Sequence, residues 1–490
     1  MDVLILNPND FPETYGILNE KARAKEAPFW CMLLAGALKK KGFKVRTIDS
    51  YALNLSEENL VQKVEEVNPR LVVIPVYGQH PFASTEVMMP TAECCDAIKK
   101  ANPERLILIL GTHPSALPEL SLQQIECDFV AKGEGLYTIT EILRYETSEL
   151  MDHLAQIPGL YYRQKNDILH GPPAPLVTAE NIDHEYPGID IDDIDFTLYQ
   201  SPFWTTLRFE ERGPYGVVHT SLGCPFNCPT CNINVPHGIP SYRYWSVETI
   251  LAQIDKMVAK GVRFLKFADE LFTFNEGHFV EVCRQLEKRK YDLKIWTFIR
   301  VQDLKPEHLN LMRAAGIVCV SFGVESSDFE QRKRIHKGYS LEQIEELIEK
   351  IHQADISIIG NFIFGLPGET EQDMQNTLKL CYQLDFDVVS FYSFMAYPGS
   401  RYFEEDRQRI LAEYRWENFS QYAETCKPHG TKFLTPDEVV AFRDAAWMEY
   451  IASDTYYQRV ASRHGETVAS NLQATLARRL TRKKQSDQIS

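Results

Sequence analysis

The stretch Val217-Val-His-Thr-Ser-Leu-Gly-Cys224-Pro-Phe-Asn-Cys228-Pro-Thr-Cys231 organises the reading of this chain. A short apolar run, read as a strand, leads into a loop with three cysteines spaced C-x3-C-x2-C and shaped by Gly223, Pro225 and Pro229. Three thiolates on one short loop can hold three irons of a cubane cluster and leave the fourth iron without a protein ligand. An open coordination position is what separates a reactive metal centre from a structural one. The competing reading is structural zinc with His219 or His237 as fourth ligand. Such sites usually pair C-x2-C knuckles at two separated places, and the chain has no second knuckle. The other eight cysteines (Cys31, Cys94, Cys95, Cys127, Cys283, Cys319, Cys381 and Cys426) are scattered through mostly apolar stretches and read as buried small hydrophobes.

Outward from the loop one rhythm repeats. FLKFAD (264–269), IWTFIR (295–300), VCVSFGVES (318–326), ISIIGNFIFG (356–365) and DVVSFYSFMAYPG (387–399) alternate with periodic stretches such as LEQIEELIEKIHQA (341–354). Six strands, each followed by a helix, fit a (β/α)6-type partial barrel over 216–403. Residues 1–145 alternate Val/Ile/Leu runs with helices, from VLILN at 3–7 to DFVAKGEG at 128–135. That pattern predicts a Rossmann-like, doubly wound parallel sheet, so the chain is α/β throughout these two parts. Ligands bind such a sheet at the carboxyl ends of its strands, here the loops at Asn7-Pro8-Asn9, Tyr77-Gly78, Gly111-Thr112-His113 and Gly133-Glu134-Gly135. Residues 146–215 read as a linker, with a hairpin turning at Lys165-Asn166-Asp167 and then a poorly structured acidic connector. Residues 404–490 read as helical, ending in a basic tail (Arg478, Arg479, Arg482, Lys483, Lys484) taken as a solvated terminus.

Composition narrows the function classes. With 52 Lys and Arg against 68 Asp and Glu, the formal charge of −16 argues against a general nucleic-acid surface. No run approaches the roughly 18 apolar residues of a membrane span. The opening MDVLILNPND lacks the charged segment and cleavage site of a signal peptide. Eleven cysteines in 490 residues are too dilute for a disulfide scaffold, so a reduced cytoplasm is the expected location.

The cysteine loop, on the first strand of a βα series, resembles the radical S-adenosylmethionine (SAM) superfamily, whose signature is C-x3-C-x2-C. The preceding domain resembles that superfamily's cobalamin (B12)-binding, class B methylase-like branch, with Gly111-Thr-His-Pro-Ser for its GG-x-HP-type loop and Gly133-Glu-Gly for its final GEG. The resemblance spans about residues 1–400. It implies that Cys224, Cys228 and Cys231 hold a [4Fe-4S] cluster, and that Glu270, with Asp269 beside it, takes the amino group of SAM. Arg300 would meet the SAM carboxylate, a bidentate task that suits a guanidinium. Glu325 would accept from the ribose hydroxyls, and Gly365, in Gly360-Asn-Phe-Ile-Phe-Gly365, would give the adenine room. Thr230 stands where the family usually carries an aromatic residue, which leaves adenine packing to Phe226 or Ile363. Tyr77, Gly111, His113, Gly133 and Glu134 are the matching candidates around a corrinoid. The chemistry implied is one-electron cleavage of SAM to methionine and a 5′-deoxyadenosyl radical. The electron would come from an external reductant such as flavodoxin or ferredoxin, and the radical would attack an unactivated carbon of a small-molecule substrate.

Many cobalamin domains supply a cobalt-ligating histidine from a D-x-H-x-x-G motif, yet no Asp in this chain is followed two positions later by His. Two readings stay open. One is cobalamin-dependent methylation of a small-molecule or natural-product intermediate, without a protein imidazole from that motif. The other is a domain that has kept its fold and lost cobalamin, serving a rearrangement, dehydration, cyclisation or carbon–carbon coupling. A non-enzymatic iron–sulfur carrier or sensor is a third, and it leaves Glu270, Arg300 and Glu325 unexplained. Substrate selectivity is expected from residues 404–490 and from loops capping the barrel, including Trp204, Trp245 and Tyr397.

Overall fold

The computed structural model describes residues 1–9, 24–207, 209, 211–476, 480 and 482. In the first domain β1 (Val3–Asn7), β2 (Val45–Asp49), β3 (Leu71–Val76), β4 (Leu106–Gly111) and β5 (Phe129–Ala131) are parallel in the order β2-β1-β3-β4-β5. Alternate side chains of each apolar run enter different cores. Val3, Ile5, Val73 and Leu108 pack under the helix Phe29–Lys40, whereas Leu4, Leu6, Val72, Ile74 and Ile109 pack with Met88, Cys94 and Cys95. Helices on both faces are why these strands carry no polar alternation. The chain order reverses between β1 and β3, which opens a crevice at their carboxyl ends.

The hairpin at 160–170 is no free-standing linker element. Its strands, β6 (Leu160–Gln164) and β7 (Asp167–His170), extend the first sheet antiparallel from β5, making it seven-stranded. Nor is the acidic connector poorly structured. Ile182, Ile189, Ile191 and Ile194 are buried, and its acids grip the first domain: Glu185 pairs with Lys41 at 2.6 Å, Asp190 with Lys39 at 2.7 Å and Asp193 with Arg46 at 2.8 Å. The indole N–H of Trp245 donates to the carbonyl of Tyr186 at 2.7 Å, so the same segment is fastened to the second domain.

The second sheet is parallel throughout, in the order β8-β11-β12-β13-β14-β15. Its strands are β8 (Tyr215–Val218), β11 (Phe264–Phe267), β12 (Lys294–Phe298), β13 (Ile317–Glu325), β14 (Ser357–Phe364) and β15 (Val388–Ser393), and a two-stranded ribbon, β9 (Ser221–Leu222) with β10 (Arg243–Tyr244), follows β8. Among the described residues β15 does not pair with β8, so the barrel is open. Trp296 and Phe298, Gly323, Asn361 and Ile363, and Ser390 and Tyr392 alternate as half-buried positions between buried neighbours on β12 to β15. The barrel interior is therefore a lined space and not a filled core.

Two of the three aromatic residues expected to select substrate are fully buried core rings, and the third is nearly so. Trp204 and Trp245 are wholly buried, and Tyr397 is 6% exposed, its hydroxyl donating to the carbonyl of Phe419 at 3.3 Å. In the tail Arg478, Arg479, Lys483 and Lys484 lie outside the described residues. Arg482 is bound to Asp444 at 2.7 Å instead of being solvated.

The C-terminal helices dock on the barrel through Asp387, just before β15. Its carboxylate accepts from the Ile358 N–H at 2.7 Å and meets His352 at 3.1 Å, Arg463 at 2.9 Å and His464 at 2.6 Å. Burial opposes this charge, but His352, His464 and Arg463 outweigh it and hold the carboxyl well below the usual range. A depressed pKa stabilises the fold fully above the unfolded value, about 3.9, and the contribution is lost as pH falls through the folded value. Asp387→Asn should cost ~3 kcal/mol in urea unfolding at neutral pH, since it breaks a buried charge network. The deficit should hold from about pH 7 to about pH 5 and shrink only below about pH 4.

Candidate functional site

The three clustered cysteines differ from the rest at once: the other eight are buried, and Cys224, Cys228 and Cys231 are half-exposed. Local hydrogen bonds hold their loop. Gly223 has φ +78°, and a Cβ there would meet the Ser241 carbonyl oxygen at 2.5 Å. The Cys224 N–H donates to Asn234 Oδ1 at 3.2 Å, Asn234 Nδ2 donates to the Phe226 carbonyl at 2.8 Å, and the Cys231 N–H donates to the Cys228 carbonyl at 3.0 Å. Among the described residues the one trio of His, Cys, Asp or Glu with donor atoms all within 4.8 Å of one another is Glu276, Glu307 and His308 at the surface. The three Sγ atoms are thus splayed wider than one ion allows, because Zn–S bonds of about 2.3 Å bring sulfurs within about 4.6 Å. Nδ1 of His237 lies 3.0 Å from Arg243 Nη2. The arrangement suits a cluster and not a single zinc. Burial pushes the Cys224 thiol up to about 12, with Glu270 and Cys228 adding to the shift, so metal must displace protons to bind.

Charged groups converge on this loop from the strand ends. Glu270 follows β11, and its Oε2 lies 3.4 Å from Nε2 of His80, while Oε1 is buried with no hydrogen-bond partner. Burial, with Asp269 adding, pushes its carboxyl up to about 8. A buried orphan oxygen of this kind suits an ammonium, which would restore the carboxylate. Arg300, two residues past β12, pairs with no carboxylate among the described residues. Its guanidinium lies 4.0 Å over the ring of Phe226, and Nη2 donates to the His336 carbonyl at 2.9 Å. Glu325 ends β13 at φ +69° and is held by Lys337, a residue that sequence reasoning passed over. Gly323 makes the contact possible, because a Cβ there would collide with both the Glu325 carboxylate and the Lys337 ammonium. Gly365 has φ +79°, and its N–H, with that of Leu366, donates to Glu369 at 3.0 Å. Glu369 also accepts from Ser326 Oγ at 2.8 Å, tying the ends of β13 and β14. Ile363 is half-buried on β14 and packs against the cluster that includes Leu117, Leu366, Phe394 and Tyr397.

The crevice of the first sheet faces this constellation. Asn7, Asn9, Tyr77, Gly78, Trp30 and His219 line a cleft of about 930 Å³, part of it open to solvent. Tyr77 stacks on Trp30 at 4.3 Å, and His219 sits 5.7 Å from Trp30. Burial, with Lys266 and His80 adding, lowers His219 to about 3, so it is a neutral imidazole. Trp30 was missed as a cleft residue because it sits in no motif, and His219 was weighed only as a zinc ligand. Gly111 has φ +137°, and a Cβ there would meet the Val76 carbonyl oxygen at 2.2 Å; this locks the turn into Thr112–Ala116. His113 is buried, with Nδ1 3.0 Å from Thr85 Oγ1 and Nε2 without a partner. Gly133 has φ +118°, and a Cβ there would stand at ordinary contact distance from Ala174 and the Pro236 carbonyl oxygen. The carboxylate of Glu134 is committed to the seam between domains: it pairs with Arg243 at 2.7 Å and His237 at 3.3 Å and accepts from the Val177 N–H at 3.0 Å.

Residues 218–381 match the model of the radical SAM superfamily, and residues 15–143 match that of the B12 binding domain. The chain belongs to the radical SAM superfamily, in its B12-binding-domain branch. An uncharacterised methyltransferase of Pyrococcus horikoshii is 25% identical over 86% of this chain and 87% of its own. The anaerobic magnesium-protoporphyrin IX monomethyl ester cyclase of Cereibacter sphaeroides is 25% identical over 80% of this chain and 62% of its own. The radical SAM methyltransferase TsrM from Kitasatospora setae, solved with cobalamin and a [4Fe-4S] cluster, superposes with a TM-score of 0.66 at 20% identity, over 85% of this chain and 79% of that one, and so shares its fold.

As a radical SAM protein the chain should lose iron with any of three cysteines and no others. Cys224→Ala, Cys228→Ala and Cys231→Ala should each abolish cluster absorbance after anaerobic reconstitution. Cys283→Ala, in the core, should keep full iron and sulfide content and lose only stability.

Proposed function

We propose that this radical SAM enzyme methylates an unactivated carbon of a small molecule and uses cobalamin as the methyl carrier. One observation carries the reading: the crevice and the SAM site share walls. Trp30, Tyr77 and His219 line the cleft at the β1/β3 switch point, and the same three line a smaller cavity that continues to Gly223 and Glu270. A corrinoid seated at the switch point would look across this passage toward SAM. The relatives named as methyltransferases support the same reading.

Bound together, the cluster and SAM supply the hydrogen-abstracting radical, and cobalamin supplies the methyl group. This chain supplies orientation and dryness. Cys224, Cys228 and Cys231 would hold the cluster. Glu270 would accept from the amino group of SAM through its orphan Oε1, and Arg300 would meet the carboxylate while its plane rests on Phe226. Glu325, set in place by Lys337, faces the same interior. Trp30 and Tyr77 would form an aromatic floor for the corrinoid, with His219 between the two ligands.

Anaerobic reconstitution with hydroxocobalamin should give a protein-bound corrinoid band, and Tyr77→Ala with Trp30→Ala should weaken its retention. With reductant and substrate, each methyl transferred should yield one S-adenosylhomocysteine and one 5′-deoxyadenosine. A protein that takes up no corrinoid yet makes 5′-deoxyadenosine would sink methylation in favour of rearrangement or cyclisation. Glu270→Gln should raise the KM for SAM roughly ten- to a hundredfold, the equivalent of the ~1.5–3 kcal/mol of a hydrogen bond to a charged group.

A further inference from the structure

Glu86 lines the switch-point cleft on the turn Pro81–Val87, which follows β3. Its neighbours fix that turn to the first domain. Ser84 Oγ donates to the Val76 carbonyl and accepts from the His113 N–H at 3.0 Å, and Thr85 Oγ1 lies 3.0 Å from His113 Nδ1. Gly78 allows the close approach, because a Cβ there would stand 2.9 Å from the Ala83 carbonyl oxygen. Ser84 and Thr85 are buried by these contacts, and Glu86 is left half-buried at the cleft.

Among the described residues Glu86 forms no hydrogen bond or ion pair. Burial alone pushes its carboxyl up to about 8, and no cation draws it back. Glu26, the other acid of the cleft, is matched by Lys266 at 2.9 Å. Arg443 and Arg482, the two cations that act on neighbouring Tyr422, are both matched by Asp444, at 2.9 and 2.7 Å. Glu86 is thus the cleft acid whose charge the described residues leave uncompensated. Its field reaches the C-terminal segment and β15. Burial raises the Tyr397 hydroxyl and Glu86 adds to it; at Tyr422 burial is opposed by Arg443 and reinforced by Glu86. Tyr392, half-buried on β15, is raised by burial with Tyr422 and Glu325 adding. Polar groups, each within electrostatic reach of the next, therefore run from Glu86 through Tyr422 and Tyr392 to Glu325.

We propose that Glu86 selects the substrate by charge: the small molecule carries a protonated amine, and Glu86 binds that ammonium as an ion pair. The proposal rests on the methyltransferase reading of the cleft. A buried carboxylate without a partner is costly, and a cation that donates to it removes the cost. Neutral donors, such as the side amides of a corrinoid, would hydrogen-bond the carboxylate and leave its charge uncompensated. With its ammonium on Glu86, a small molecule would extend along Tyr422 and Tyr392 toward Glu325. Anchoring one end in this way fixes which carbon meets the radical. A hydroxyl in place of the ammonium leaves the carboxylate unmatched, so the neutral analogue is rejected.

Ligand-observed NMR on the anaerobic holoenzyme tests this, with hydroxocobalamin and SAM bound and no reductant, so that Glu270 is already occupied. The probes are benzylamine and phenethylamine, each paired with the alcohol of the same skeleton. The wild type should bind each amine roughly tenfold more tightly than its alcohol, the size of one hydrogen bond to a charged group. Glu86→Gln should erase that preference by weakening the amines, and unchanged alcohol binding shows that its cleft still forms. Its urea midpoint at neutral pH should equal or exceed that of the wild type, because the change removes a lone buried charge. Equal affinity for amine and alcohol in the wild type overturns the proposal, as does a preference that survives Glu86→Gln. Release of the corrinoid by Glu86→Gln overturns it as well, since Glu86 then serves the cofactor. Absent corrinoid uptake by the wild type would overturn the methylation reading alone, because the amine preference, measured then with SAM only, still reports on Glu86.

Discussion

A single buried carboxylate, Asp269, sets the geometry from which the site grows. It follows β11, is wholly buried, and accepts from the Thr220 N–H at 2.9 and 3.0 Å, from Thr220 Oγ1 at 2.8 Å and from Ser221 Oγ at 2.6 Å. Those donors are Thr220, in the turn after β8, and Ser221, the first residue of β9, four and three residues before Cys224. The clamp therefore fixes where the cysteine loop departs from the sheet. It also divides the labour of two adjacent acids, because Asp269 is saturated by donors while Glu270 keeps an orphan oxygen toward the cavity. Neighbouring carboxylates with opposed environments are a recurring way to place one structural and one functional group.

Around that clamp the domains close by charge. Glu134 of the first sheet meets Arg243 and His237 of the cysteine-loop ribbon. Glu26 reaches the barrel interior, where its carboxylate takes the ammonium of Lys266 at 2.9 Å and the hydroxyl of Tyr215 at 3.1 Å. Buried pairs of this kind contribute little net stability over apolar packing, but they set register. Register is what the chemistry needs, since the passage lined by Trp30, Tyr77 and His219 exists only while the switch-point crevice faces the strand ends of the barrel. A closed seam also keeps water from a reactive radical.

The legible parts were those governed by local pattern. Runs such as LVVIPV and LILILG cannot be solvated on either face, so a covered parallel sheet followed from them directly. The three cysteines stood out because one loop held all of them, and the other eight proved to be packing atoms. Tertiary partners decided the rest. The acidic connector read as unstructured because its cations, Lys39, Lys41 and Arg46, lie about 150 residues upstream. Trp204 and Trp245 looked like binding residues because exposed and core tryptophans are the same letter; only packing against Phe264, Tyr215 and Phe29 separates them.

By itself, then, the sequence determined the two α/β sheets, their order, the clustered cysteine loop and the superfamily, because each depends on periodicity or on spacing within a few residues. Only the tertiary structure decided which acid faces the cavity, that Lys337 holds Glu325, that Glu134 binds the seam, and that Arg300 joins the ring of Phe226 to the backbone of His336. Those are contacts between side chains from separate strand ends, up to about a hundred residues apart. Their energies depend on burial and distance, which a linear pattern does not contain.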